Sequence, residues 1–595
     1  MLIKIFLLLV NTCSGFFRQQ RIQLDNTRLL PKKWVETNNY DGQDNTMRFT
    51  ILLSQNIQGI DDLKKISYDI SNINSVNYGK YLTNEEIDSY IAPSDEKYKK
   101  VVNWLENDSS ENLYCTYNSD NIQCIGDILT IERLFKTNIK IYKNIHNNMT
   151  TKSGRESGIS IPSYLIDTID YVLGLIDFPR TNQRLKSKNP GNGNIVPLSI
   201  QKLYNISSRN FTNTSSQAVV EFMSDECFNI EDLNNFTTDN NLNTIVFNKS
   251  SIIGNCNLTT EEPDIEASLD IQYQTGVNDQ SHQQYVSMKY WLYDMANTLY
   301  NMDSPPMVNS MSWGWAEWDQ CDESTSCEIG GDSEVYTKRT NTEFMKLSLR
   351  GVTLVASSGD AGAAGRTDEQ CTDPAHLLNP AFPASSPWVL SVGGTIITNP
   401  VILDNTTKNI PGICVNNSCI IGGDELNCNF DRCGWTSGGG FSNYFNRPWW
   451  QVNASDNYLK SSAVFPPNRL FNKLGRAYPD ISAVSHNFLI RTGGMYTDVD
   501  GTSASAPSIS GMISILNNLR VSQGKAVLGL VGPLLYTMAQ NCSTCFKDIV
   551  KGSNNSTEFG ECKYGYQATK GFDAVYGVGV PNFDEIYNFV ANLKY

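Results

Sequence analysis

Ser503 lies in the octapeptide Asp500-Gly501-Thr502-Ser503-Ala504-Ser505-Ala506-Pro507, and apolar residues at helical spacing follow it: Ile509, Met512, Ile513 and Ile515. A small hydroxyl at the first turn of a buried helix sits where backbone N–H groups lack intrahelical partners and the dipole favours negative charge. Attack of a hydroxyl on a carbonyl creates an oxyanion that needs such donors, so this turn suits a nucleophile. The competing reading is a plain N-cap. Two further sets of residues bear on that choice. Glu266 and Asp270, four apart in Asp264-Ile265-Glu266-Ala267-Ser268-Leu269-Asp270, fall on one face of a helix. Exposed, such a pair is an ordinary solvated face; buried, the two share a proton and one pKa rises. Asp360 follows the apolar run Val352-Thr353-Leu354-Val355-Ala356 in Ser357-Ser358-Gly359-Asp360-Ala361-Gly362. An acid among glycines at the mouth of a buried strand can approach a substrate closely; the bland alternative is an Asx-turn or a helix cap.

A serine hydroxyl needs a base before it can attack. The chain has only four histidines, His146, His282, His376 and His486. His282 is the one candidate in the order of a histidine-based subtilisin, and its surroundings, Gln280-Ser281-His282-Gln283-Gln284, read as surface. A carboxylate serves as base only where it is ionised while neighbouring acids keep their protons. A protonated neighbouring acid donates to an oxyanion and an ionised one repels it. Chemistry built on these groups belongs to acid and fails near neutrality.

The rest of the chain describes the setting. Met1-Leu2-Ile3-Lys4 and the short apolar run Ile5–Val10, closing on small and polar residues up to Gly15, predict a secretory signal peptide over 1–15. That run is far short of the ~20 residues that cross a bilayer, and no later segment qualifies. Cys13 falls in the signal, leaving an even set of 14 of the 15 cysteines, as oxidised pairing requires. Spacing suggests Cys115 with Cys124, Cys227 with Cys256, and Cys321 with Cys327. Cys414, Cys419, Cys428 and Cys433 fit two bridges better than zinc, because paired C-x-x-C knuckles are absent. Cys542 and Cys545 predict a structural bridge to Cys562 or elsewhere rather than redox work. Many Asn-x-Ser/Thr acceptors, Asn205, Asn257 and Asn453 among them, fit passage through the secretory route. A net charge of −15 excludes a nucleic-acid partner, which needs a basic face, and suits an acidic compartment.

Two folding units are expected from 595 residues. Residues 16–185 mix a strand over Met47–Leu53 with a helix around Ile60–Ile70. The stretch Asn182–Asn194, carrying Arg184, Lys186, Lys188 and Pro190, reads as an exposed linker open to proteolysis, with the cut assigned to 186–194. From Ile195 to the end, strands alternate with helices. Ala218–Phe222, Thr244–Phe247, Met307–Ser312, Val352–Ala356 and Trp388–Val392 read as strands; Ile265–Ile271, Gln284–Leu299 and Arg339–Leu349 read as helices. Such alternation predicts a mostly parallel sheet covered on both faces, with functional groups where strands end.

In this order the motifs resemble the sedolisin family of serine-carboxyl peptidases. The matching blocks are Glu266-x-x-x-Asp270; Asn341-Thr342-Glu343-Phe344-Met345-Lys346 with Gly351–Leu354 and Ser358-Gly359-Asp360; Phe382–Pro387 with Val392-Gly393-Gly394-Thr395; Ser437–Ser442; Arg476-x-Tyr478-Pro479-Asp480; and Gly501–Ser505. In the first unit, Asn77–Thr83 with Glu85 and Glu86 resembles the family's propeptide. The resemblance implies a subtilisin-like α/β fold, a parallel sheet flanked by helices, preceded by an α+β prodomain over 16–185, with the peptidase over 195–595. It implies Ser503 as nucleophile, Glu266 as general base, Asp270 as the group that orients Glu266, and Asp360 as the oxyanion acid. It also implies one structural calcium ion, bound by the side chains of Asp548 and Asp573 and the carbonyls of Ile549, Thr569 and Gly571. Thr569 stands where the family has glycine, and Asp500 stands where the family has serine; Asp500 is expected to face solvent. The implied activity is hydrolysis of peptides or unfolded proteins by a zymogen that its own propeptide restrains. Release of tripeptides from N-termini, internal cleavage, and an inactive glycosylated binding protein are the alternatives. Location is the secretory route, in a lysosome-like acidic compartment or outside the cell.

Overall fold

The computed structural model describes residues 20–25, 30–31, 33–37, 45–108, 112–145, 149–176, 178, 193–211, 214–222, 227–320, 333–368, 370–371, 377–404 and 410–595. The expected signal peptide, nearly all of the linker, and the Cys321–Cys327 pair lie outside these residues. The described residues group into two compact units: up to 57 with 88–178, and 58–87 with 193–320 and 333–595.

The first unit is an antiparallel sheet with helices on it. Its strands are β1 (Thr46–Leu53), β2 (Leu113–Tyr117), β3 (Asn121–Asp127) and β4 (Ile169–Leu173), in the order β2-β3-β1-β4. Phe49, Ile51 and Leu53 alternate along β1 and pack with Val101, Trp104 and Leu105 of the helix Asp95–Asp108. Period two on the strand against a helical stripe yields one shared core. The Cys115–Cys124 bridge links β2 to β3, as the spacing suggested.

The second unit holds the parallel sheet. Its strands are β5 (Ser216–Phe222), β6 (Ile252–Gly254), β7 (His282–Met288), β8 (Val308–Met311), β9 (Thr353–Ser357), β10 (Val389–Ile402), β11 (Ile420–Asn427) and β12 (Ile481–Val484). The order is β6-β7-β5-β8-β9-β10-β11, with β12 also on β10; every pairing is parallel except β10 with β11. Two helices, α1 (Ile265–Val277) and α2 (Thr502–Ser522), are buried almost all round. Residues 58–87 group with this unit because their aromatic side chains pack there. Tyr68 stacks on Trp388 with ring centroids 5.5 Å apart, Tyr81 donates to the Val527 carbonyl at 2.8 Å, and Leu82 N donates to Leu349 O at 2.9 Å.

Several expected elements differ. Thr244–Phe247 is irregular rather than a strand: Val246 is 77% exposed, and the sheet position goes to β6, where Ile252 pairs with Tyr285. The expected helix Gln284–Leu299 divides into the end of β7 and a helix over Leu292–Tyr300. Strand wins in the first half because β7 is paired on both sides, and its glutamines find partners there. Gln283 Nε2 donates to Gln274 Oε1 at 2.7 Å, and Gln217 Nε2 to Gln283 Oε1 at 2.7 Å. Tertiary pairing overrides local propensity in this stretch. The strand expected over Trp388–Val392 runs from Val389 on through Gly393 and Gly394 to Ile402. Cys227–Cys256, Cys414–Cys419 and Cys428–Cys433 are bridged, which leaves none of the four clustered thiols for zinc. Cys542 pairs with its near neighbour Cys545, and Cys562 pairs with Cys371, which corrects the expected bridge between Cys542-x-x-Cys545 and Cys562.

Candidate active site

Ser503 is the second residue of α2, and the turn before it requires glycine. Gly501 has φ +133°, and a Cβ there would stand 3.3 Å from Asp360 Oδ2. Helices α1 and α2 cross at close range for a similar reason. A Cβ on Gly511 would stand 2.8 Å from Val277 Cβ and 2.9 Å from the Gln274 carbonyl. The crossing brings the first turn of α1 beside the first turn of α2, where the Ser503 hydroxyl is close enough to the Glu266 carboxyl to favour its anion. One turn further along α1, Asp270 is fully buried, and its Oδ2 accepts from Ser312 Oγ at 2.6 Å. Asp360, just beyond the end of β9, accepts from Thr502 N and from Thr502 Oγ1, both at 2.8 Å. The structure therefore brings together Ser503, Glu266, Asp270 and Asp360. His282 is exposed at the first position of β7.

Pro507 completes the setting of the nucleophile. Lacking an N–H, it leaves the Ser503 carbonyl without its usual intrahelical donor. Ser312 stands in that place: its Oγ is 3.3 Å from Ser503 O, and Ser503 Oγ is 3.5 Å from Ser312 O. Ser312 thus touches both the nucleophile residue and Asp270.

The electrostatics are those of an acid cluster. Burial drives Asp270 far above the ordinary carboxylate range, and the charges of Glu266 and Asp264 add to it. Glu221 on β5 is driven the same way by burial and by Asp270 and Glu266. Glu266 is pushed up to about 8 by burial, with the charges of Asp264 and Asp360 adding, against the nearby Ser503 hydroxyl and the Arg366 charge. Asp360 is raised by burial, against Arg366 and its Thr502 bonds. Such a cluster holds protons at pH values where free carboxyls have lost theirs.

The Pro-kumamolisin activation domain matches residues 32–178, and the Subtilase family matches residues 268–528. Physarolisin of Physarum polycephalum is 36% identical over 551 residues, covering 91% of this chain and 94% of that protein. Tripeptidyl-peptidase 1 of Dictyostelium discoideum is 31% identical over 598 residues, covering 89% and 87%. The chain belongs to the sedolisin family of serine-carboxyl peptidases. Pseudomonas sedolisin, a serine-carboxyl proteinase of solved structure, superposes with a TM-score of 0.50 at 21% identity over 67% of this chain and 99% of that one, a likeness of fold. As a sedolisin, the chain is a serine peptidase of subtilisin-like architecture, made with an N-terminal activation domain.

Some residues of this sedolisin's site were missed by sequence reasoning. Glu221 accepts from Trp313 Nε1 at 2.7 Å and sits behind Asp270. Its signal was present, since one acid interrupts the apolar run Ala218-Val219-Val220-Glu221-Phe222. Ser312 and Thr502 carried no such signal, because hydroxyl residues are common at strand ends and helix starts. Asp500 is a correction: it was expected in solvent, but the structure buries it against His486. The imidazole across the hairpin Phe488–Val499 offsets the cost of burying the carboxylate.

Near the C-terminus, Gly571 N donates to Asp548 Oδ2 at 2.8 Å and Thr569 N to Asp573 Oδ2 at 2.9 Å. Asp573 is fully buried and pushed up to about 7 by that burial, with the Asp548 charge contributing. Thr569 is not among the residues of positive φ, so its β-branched side chain is unstrained where the family has glycine; Gly571 takes φ +83°. Two carboxylates close enough for one charge to raise the other supply oxygen ligands of the kind calcium takes.

Proposed function

We propose that this sedolisin is an acid-acting peptidase that cleaves peptides through an acyl-enzyme on Ser503. The observation that carries the reading is the convergence of buried Glu266, Asp270 and Asp360 on the first turn of the Ser503 helix. Glu266 takes the Ser503 proton as Oγ attacks the substrate carbonyl. Asp270, neutral in acid, orients Glu266 without adding a second charge. Protonated Asp360 donates to the oxyanion of the tetrahedral intermediate. Glu266 then returns its proton to the leaving amine, and water repeats the cycle on the ester. Burial raises Glu266, Asp270 and Glu221 together, so the cluster shares its protons, and the working state is the one in which Glu266 is the ionised member. As pH rises, Asp360 ionises too and repels the oxyanion, and activity falls.

The relatives named tripeptidyl-peptidase 1 favour release of tripeptides from free N-termini, with peptides or unfolded proteins as substrates. One long peptide, offered with a free and with an acetylated N-terminus, separates the modes. Tripeptide ladders from the free form alone support the exopeptidase, and equal cutting of both supports an endopeptidase. Maturation by cleavage within 186–194 would release the prodomain at about pH 4, and Ser503→Ala precursor would stay intact. A calcium ion held by Asp548, Asp573 and the carbonyls of Ile549, Thr569 and Gly571 would secure the C-terminal segment against α2, offsetting the repulsion between the two carboxylates. The signal peptide and the acid cluster favour a lysosome-like compartment or an acidic extracellular space. Among the described residues no helix is long and apolar enough to cross a membrane.

A further inference from the structure

Asp500 departs from the family's Ser-Gly-Thr-Ser pattern, and its surroundings show what the acid contacts. Its carboxylate is enclosed, with Oδ2 2.8 Å from His486 Nδ1 and Oδ1 accepting from Asn487 N at 2.7 Å. The next residue, Gly501, donates its N–H to the Ser485 carbonyl at 3.0 Å. Residues 485–487 therefore grip 500–501 at three points. On the other side of Gly501, Thr502 is gripped by Asp360 through two hydrogen bonds. Two carboxylates hold neighbouring parts of one turn, and Ser503 is the next residue along.

The two carboxylates also feel each other. The charge of Asp500 is one of the influences that raise Asp360, opposed by the charge of Arg366. His486 is the group positioned to compensate Asp500. Its Nδ1 faces the carboxylate, its Nε2 has no hydrogen-bond partner, and its ring lines a cavity of about 230 Å³ with Ile396, Ile397 and Ile420. That volume admits several waters, which gives protons a route to the ring. The Cys428 and Cys433 sulfurs lie close to the imidazole, but they are spent in their bridge, so the three do not form a metal site. The other charged groups facing this assembly are Asp498, on the strand that leads into Asp500, and Arg366 and Glu266, which face Asp360.

We propose that His486 and Asp500 form a positioning pair that seats the nucleophile turn, and that the net charge of the pair sets the alkaline limit of activity through Asp360. The inference rests on the acid-acting reading given above. The imidazole faces the carboxylate directly inside the protein, so the two residues act on the nucleophile turn as one unit.

The test is the pH profile of kcat/KM for the matured enzyme on a peptide substrate. Asp500→Asn keeps the shape and removes the negative charge. Asp360 then ionises at lower pH, and the alkaline limb moves toward acid by a few tenths to about one pH unit. His486→Gln removes the imidazole and leaves the buried carboxylate without the group that faces it, so the limb moves the opposite way. Asp500→Ser, the residue of the usual pattern, should follow Asp500→Asn and replaces it if that variant does not accumulate. A merely structural role would lower kcat at every pH and leave the midpoint in place. Opposite shifts support the proposal; unmoved midpoints, or shifts in one direction for both, overturn it. A wild type without acid peptidase activity sinks the functional reading and this inference together, whereas an active wild type with unmoved limbs sinks this inference alone.

Discussion

Asp480 and Asp270 are both buried carboxylates in the same unit, and they are treated in opposite ways. Asp480 pairs with Arg476, accepts from Ser391 N at 2.8 Å, and accepts from Tyr536 Oη at 2.9 Å. Its charge is matched and both of its oxygens are occupied. Asp270 has one hydroxyl on Oδ2, no hydrogen-bond partner on Oδ1, and acids as neighbours. A compensated buried charge is scaffolding; an uncompensated cluster is a store of protons. Both acids stand in motifs that carry the family resemblance, so motif membership does not separate the roles, whereas the partner set does.

The comparison breaks most sharply at the nucleophile and its base. Ser503→Ala and Glu266→Gln should each lower kcat by more than about 10³-fold while the melting temperature stays near that of the wild type. If Glu266→Gln retains most activity, the acid cluster is not the catalytic base. Asp480→Asn should do the reverse. It strands the Arg476 guanidinium in the interior and costs about 3–5 kcal/mol of stability. Denaturant unfolding measures that loss, and whatever variant folds should keep its kcat.

A third expectation concerns pH and stability. Burial raises Glu317 and Asp573 to about 7, and Asp270 and Glu221 are raised as well. A carboxyl raised in the folded form stays protonated where the unfolded chain has ionised, so folding takes up protons. Stability is then full below the unfolded carboxylate range and is lost as pH rises through the folded values. The melting temperature should fall between about pH 5 and pH 8, and added calcium should reduce the share due to Asp573. A melting temperature that rises over this range would contradict the burial argument. The smallest effect is expected at Trp313→Phe, which removes the one hydrogen bond to Glu221 and keeps the ring. A loss of kcat within about tenfold, larger toward neutral pH, would place Glu221 on the edge of the proton store; no change at any pH would place it outside.

What could be read from the chain alone were features that depend on local spacing. Glu266 and Asp270 share a helical face because 3.6 residues make a turn, and Asp360 follows an apolar run because a strand must end before a loop can reach a substrate. Cys115 with Cys124 and the two bridges within 414–433 were legible for the same reason, since their partners are near in sequence. Only the folded molecule decided that Cys562 joins Cys371, that Gln284–Met288 is a strand, and that Asp500 is buried rather than hydrated. In each case the deciding partner lies beyond the local window, from across one hairpin for Asp500 to 191 residues away for Cys371 and Cys562. Local sequence states what a residue can do, but burial and charge compensation are properties of the whole packing arrangement.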